Sequence, residues 1–187
     1  GSTATTYDSM GRTVSSTNAR GAETRYTYDG MGRTTRVTDA LGNSTRNTYD
    51  AGGNLIEQQD KNGNTWSYTY DANNRMTEAT DPLGFITTYE YDARNRQTSV
   101  TQHLGGGKWL RATYEYDGVG NKTFVRTGIS ESNSTPMQTG YQYDRFGNII
   151  YIDYSGAMAS ETYVRDKTGQ LTEKQPLPGP PSPLHTS

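Results

Sequence analysis

The chain has 187 residues, of which 30% are hydrophobic, with a formal charge of -2, no cysteine and 15 tyrosines. Its makeup excludes a thick aliphatic core, a disulfide framework and a thiolate metal site, and its 18 Lys and Arg are spread too evenly for a nucleic-acid footprint. No run reaches the about eighteen apolar residues that suggest a membrane helix, and no charged-then-apolar leader opens the chain.

Residues 1–4 read as a tag remnant or leader, with Gly1-Ser2 as its scar, so the chain is expected to be an excised segment of something longer. From there the dipeptide Tyr-Asp dominates: Tyr7-Asp8, Tyr28-Asp29, Tyr49-Asp50, Tyr70-Asp71, Tyr91-Asp92, Tyr116-Asp117 and Tyr143-Asp144, with a decayed eighth copy around Tyr163 and Asp166. The first five copies are spaced by 21 residues, the next by 25 and the last by 27. In most copies a second tyrosine stands two residues earlier (Tyr26, Tyr68, Tyr89, Tyr114, Tyr141), which places both rings on one face of a strand. Asp at the first turn position and a left-handed residue at the fourth predict a three-residue hairpin with a bulge. The fourth-position column reads Gly11, Gly32, Gly53, Asn74, Asn95, Gly120, Gly147 and Gly169, the two residue types that tolerate φ > 0 most readily.

A second turn repeats in register as Asp39-Ala40-Leu41-Gly42-Asn43, Asp60-Lys61-Asn62-Gly63-Asn64 and Asp81-Pro82-Leu83-Gly84-Phe85, a column that Gly21 and Gly105 extend. The predicted fold is all-β: tandem hairpin repeats over 5–174 in a long, twisted antiparallel meander, an open strip or a segment of a hollow β-shell. At about 4.8 Å per strand, about sixteen strands would make a strip on the order of 75 Å long, and its tyrosine face needs cover. Longer insertions near 102–111 and 128–139 read as lengthened loops, either tolerated surface insertions or places where a repeat protein carries binding. The segment 175–187, with Pro176, Pro178, Pro180, Pro181 and Pro183, reads as an extended proline-rich tail in which Pro178 to Pro181 meets the spacing of an SH3 ligand.

The pattern Tyr-x-Tyr-Asp-x-x-Gly-Arg/Asn, as in Tyr26-Thr27-Tyr28-Asp29-Gly30-Met31-Gly32-Arg33 and Tyr141-Gln142-Tyr143-Asp144-Arg145-Phe146-Gly147-Asn148, closely resembles the Rhs/YD-repeat family, which includes bacterial polymorphic toxins, insecticidal toxin complex C components and teneurins. The resemblance implies repeats wound into a hollow shell that, in the toxins, encloses a C-terminal toxic domain. It also implies an exported parent, secreted or at the bacterial cell surface. Such a shell needs more repeats than eight, so the expected partners are the remainder of a longer chain, other copies of this one, a protein cargo or a cell-surface glycan. Asp81-Pro82-Leu83-Gly84 resembles the family's cargo-cleavage motif, but it sits in register with Asp39-Ala40-Leu41-Gly42 and reads as an ordinary turn.

The expected role is a non-catalytic scaffold with no cofactor and no metal. The Asp residues recur as a column, whereas a catalytic site is a singular place. A calcium loop from Asp60 has Thr65 where glycine belongs and Asp71 where glutamate belongs, and His103 and His185 have no neighbouring ligands at metal spacing. Arg12, Arg33, Arg75 and Arg96 form a column, broken by Asn54, Asn121 and Asn148, suited to stacking on the tyrosines. The alternative function is self-association into filaments or adhesion, with Trp66, Tyr68, Trp109 and Arg111 as a candidate glycan surface; an autoprotease or carbohydrate-active enzyme is the third.

Overall fold

The computed structural model describes residues 1–129, 137–154, 161–166 and 168–176. It divides into two units, Gly1–Thr87 and Thr88–Ser187. The first holds β1 (Ala4–Tyr7), β2 (Thr13–Thr17), β3 (Glu23–Tyr28), β4 (Thr34–Thr38), β5 (Ser44–Tyr49), β6 (Leu55–Gln59), β7 (Thr65–Tyr70) and β8 (Met76–Thr80). Strand β9 (Ile86–Tyr91) spans the division, and β10 (Gln97–Gly105), β11 (Lys108–Tyr116), β12 (Lys122–Ile129), β13 (Met137–Tyr143), β14 (Ile149–Tyr154), β15 (Glu161–Arg165) and β16 (Leu171–Pro176) follow. From β1 to β8, and again from β10 to β16, each strand runs antiparallel to its predecessor. The fold is thus an all-β meander of tandem hairpins.

The turns follow from local chemistry. At the second copy, Gly32 N–H donates to the Asp29 carbonyl at 3.1 Å and Asp29 N–H to the Arg33 carbonyl at 3.0 Å. The Asp29 carboxylate caps the same turn, Oδ1 accepting the N–H groups of Met31 and Arg33 at 2.9 Å each. Closing this turn requires a left-handed fourth residue: φ is 83° at Gly32, 59° at Asn74 and 63° at Asn95. The second kind of turn uses the same bonds from Asp39, Asp60 and Asp81, and Asn18 takes the aspartate's place in the first copy.

Two features depart from the expected elements. Each Tyr-Asp hairpin whose strands lie in one unit carries a further register shift just past the turn: Thr27 pairs Arg36 while Tyr28 pairs Thr34, leaving Thr35 as the extra residue. The insertion near 102–111 is not a loop. It lengthens β10 and β11 to nine residues each, closed at Gly106-Gly107, whose φ values of 60° and 78° are those of a tight two-residue hairpin turn. The insertion near 128–139 likewise lengthens β12 to Ile129 and starts β13 at Met137; its residues 130–136, and the tail 177–187 with Pro178 to Pro181 and His185, lie outside the described residues.

Among the described residues no apolar side chain is fully buried. The strands alternate instead: along β7, Trp66, Tyr68 and Tyr70 are half-buried while Ser67 and Thr69 are exposed. The tyrosine face is covered piecemeal by neighbouring side chains, and a chain this poor in leucine can hold together because tyrosine supplies both ring area and a hydroxyl.

Candidate functional site

The recurring chemistry of the chain is a lock between consecutive repeats. Tyr28, on β3, donates its hydroxyl hydrogen to the Thr13 carbonyl at the start of β2, at 2.7 Å. Tyr49 does the same to Thr34 at 3.2 Å, Tyr70 to Leu55 at 2.9 Å, Tyr116 to Gln97 at 2.7 Å and Tyr143 to Lys122 at 2.6 Å. In each case the acceptor is the fifth residue after the aspartate of the preceding repeat. The sequence reading missed this bond; its signal is a fixed spacing, with no demand on the acceptor's side chain because the carbonyl belongs to the backbone.

Arginine completes the lock from the other side. Arg33 Nε donates to Asp29 Oδ2 at 2.6 Å within its own turn, and Arg33 Nη1 reaches the Asp50 carbonyl of the next turn at 3.1 Å. Its guanidinium carbon lies 4.6 Å from the centroid of the Tyr49 ring. Arg12 repeats the set on Asp8, the Asp29 carbonyl and Tyr28, and Arg96 on Asp92, the Asp117 carbonyl and Tyr116. Arg75 makes the pair with Asp71 at 2.6 Å. Planarity lets one group stack, ion-pair and donate across a turn at once, which a lysine ammonium cannot match. Where asparagine stands instead, the side-chain amides of Asn54, Asn121 and Asn148 donate to the local carboxylates of Asp50, Asp117 and Asp144, at 2.9, 2.9 and 3.0 Å, and that of Asn54 also reaches Asn74 Oδ1 of the next turn at 2.9 Å.

These bonds hold the turn carboxylates below their ordinary pKa. For Asp8, Asp29 and Asp92 the largest cause is the backbone N–H of the following arginine, and for Asp71 the Arg75 side chain. For Asp50 it is the Asn54 amide, and for Asp166 the Thr168 hydroxyl. Asp117 is lowered by its Asn121 and backbone partners against an opposing burial effect. Burial pushes the hydroxyls of Tyr70, Tyr116 and Tyr143 up.

The signature residues therefore occupy equivalent places: Tyr26, Tyr68, Tyr114 and Tyr141 accompany Tyr28, Tyr70, Tyr116 and Tyr143 on one strand face, as Tyr89 accompanies Tyr91, and Gly11, Gly53, Gly120 and Gly147 close their turns at positive φ. Tyr7, in the first strand, is 61% exposed. The four candidate glycan contacts differ in their placement relative to the tyrosines of their own strands. Trp66 and Tyr68 lie on the tyrosine face of β7, whereas Trp109 and Arg111 alternate along β11 on the face opposite Tyr114 and Tyr116. Arg111 joins a cluster there, donating to Glu90 Oε2 at 2.8 Å, which also accepts from Ser99 Oγ at 2.7 Å. Ser99, at 2% exposure, is the largest fully buried side chain among the described residues. Composition gave no signal for it, because it depends on cross-strand register. Among the described residues no three His, Cys, Asp or Glu side chains gather as metal ligands, and no helix is long and apolar enough to cross a membrane.

Tandem hairpins locked repeat to repeat through tyrosine, aspartate and arginine define a β-repeat protein of the tyrosine-aspartate type. The RHS Repeat family matches residues 7–45, 49–86 and 77–107, more than half of the chain, and the chain belongs to that family. No curated protein matches it. Among solved structures, a chain of the Photorhabdus luminescens Tc holotoxin pore (TccC3 D651A mutant) is similar at 24% identity and a TM-score of 0.67 over 82% of this chain. This chain spans 9% of that one, so the likeness shows the fold alone. A TcdB2-TccC3-TEV structure is 18% identical over 90% of this chain and 12% of its own, with a TM-score of 0.39.

Proposed function

We propose that the chain is a stretch of structural wall: a non-catalytic RHS-type scaffold that, within a longer exported parent, helps to enclose or present a toxin, effector or binding domain. The observation that carries this reading is the lock itself. The side chains best placed for chemistry are already engaged, the Asp carboxylate within its own turn and the Arg and Tyr with the neighbouring repeat, and they recur as a column rather than converging on one place. Export, whether to the medium or the bacterial surface, follows from the toxin-type role in this reading. The test is protease protection in the parent polypeptide. An enclosed domain resists digestion until the repeats unfold, and a domain cut as fast within the parent as when isolated overturns the enclosure.

A second reading, self-association, is favoured by β1, whose four residues are all exposed. Mass measurement with electron microscopy separates the two. Filaments of this chain support strand-edge assembly, and a monodisperse monomer at high concentration removes it.

A further inference from the structure

The arginine column describes a receptor as well as a lock. In three repeats the notch between consecutive Tyr-Asp turns is filled by the chain's own guanidinium, which meets a carboxylate Oδ2, a backbone carbonyl and a tyrosine ring at 4.6 to 4.7 Å. At Asn121 the sequence puts a shorter, neutral side chain in that place. The walls are unchanged: Tyr143 is pinned through the Lys122 carbonyl at 2.6 Å, as Tyr28 and Tyr116 are pinned in theirs, and the turns from Asp117 and Asp144 close through the usual bonds. The result is a cavity of about 640 Å³ whose lining includes Asp117, Val119, Asn121, Tyr143, Asp144, Arg145 and Phe146.

Asparagine alone does not open the notch. In the third repeat Asn54 Nδ2 bonds Asn74 Oδ1 at 2.9 Å, so the left-handed asparagine of the next turn leans across. Beside Asn121 the corresponding residue is Gly147, which has no side chain, and a Cβ there would stand 3.7 Å from Asn121 Oδ1. The charge is also out of step. Asp29 has a guanidinium on its carboxylate and another on its carbonyl, whereas Asp117 has Arg96 on its carbonyl and only the neutral Asn121 amide on Oδ2. Arg145, itself part of the lining, has its guanidinium on the Phe146 ring, 4.6 Å from the centroid, and not on Asp117.

We propose that this notch is a guanidinium site, taking an arginine side chain from a partner polypeptide. Val119 and Phe146, 86% and 72% exposed at the two turn tips, form an apolar collar for the arginine's methylene stem, which favours a peptide-borne side chain over the free amino acid with its additional carboxylate beside Asp117 and Asp144. The proposal does not depend on whether the scaffold encloses a cargo.

The test is an NMR titration of the whole chain with N-acetylarginine amide, following the Asn121 side-chain amide and the Gly147 N–H. Saturable shifts are expected at both, several-fold weaker with free arginine and lost with the neutral citrulline analogue. Asn121→Arg refills the notch from within and should abolish the shift at Gly147 N–H, the reporter that this variant keeps, while raising the unfolding temperature. Gly147→Asn, which copies Asn74 at a backbone geometry asparagine tolerates, should weaken binding without unfolding the chain, as circular dichroism would verify. Equal binding by the citrulline analogue, tighter binding by free arginine, or undiminished binding to folded Asn121→Arg protein would overturn the assignment.

Discussion

At the scale of the residue, the same few atoms recur in repeat after repeat, so single substitutions are informative. Gly32 sits at φ 83° in a turn that asparagine also closes at positions 74 and 95. Gly32→Val should cost about 1–3 kcal/mol in urea unfolding, and Gly32→Asn much less, because a β-branched side chain clashes in the left-handed region where asparagine is tolerated. Tyr28→Phe keeps the ring under Arg12 and removes only the donor to the Thr13 carbonyl. The loss should be about 1 kcal/mol, the net worth of one such bond, and an unchanged midpoint would show that water replaces the hydroxyl without cost. The Tyr-Asp-x-x-Gly pattern was legible because each turn is closed within five residues by bonds that depend on side-chain identity. The Tyr28 acceptor was not legible, since any residue supplies a carbonyl.

At the scale of the element, the hairpin is the unit, and the lengthened one shows how a repeat absorbs extra residues. The ten residues from Gln102 to Arg111 looked like a loop because they interrupt the period and contain three consecutive glycines. In the structure they continue the pairing, Gln102 with Leu110 and His103 with Trp109, and the glycines serve only the tip. Antiparallel strands can lengthen together without disturbing the turns at their other ends, so insertion in this position extends the sheet at little structural cost. Gly107→Val should raise amide hydrogen exchange along the tip halves of β10 and β11 and leave β3 to β6 unchanged. Spread of the effect into those strands would mean that the hairpins are cooperative over a longer range than their contacts imply. A similar limit applies to the glycan candidates: Trp66 and Trp109 both look like aromatic platforms in the chain, but strand parity sends them to different faces relative to the tyrosines.

At the scale of the molecule, stability is a sum of many small locks with no fully buried apolar side chain among the described residues, and such a sum responds to pH. The carboxyls of Asp8, Asp29, Asp50, Asp71, Asp92, Asp117 and Asp166 are lowered from an unfolded value near 3.8. A lowered acid adds stability above its unfolded value and loses it as the pH falls through the folded one. The unfolding temperature should therefore fall steeply below about pH 4, with Asp29→Asn reducing the slope. Tyr70, Tyr116 and Tyr143 are raised, so their contribution is complete below the unfolded value of 10.0 and is lost as the pH rises through the folded values. Scanning calorimetry from acid to alkali should trace both flanks.

The repeat period, both turns and the all-β class could be read from the chain, because each rests on residues within about one hairpin of one another. The locks between repeats, the parity of the long hairpin and the notch at Asn121 could not. They depend on which side chain of one repeat meets which backbone group of the next, and pairing register sets that across gaps of fifteen residues or more, as between Thr13 and Tyr28. In the chain, Asn54 and Asn121 are the same letter in the same column. In space one is bridged by Asn74 and the other faces Gly147, and that contrast separates a closed notch from an open one.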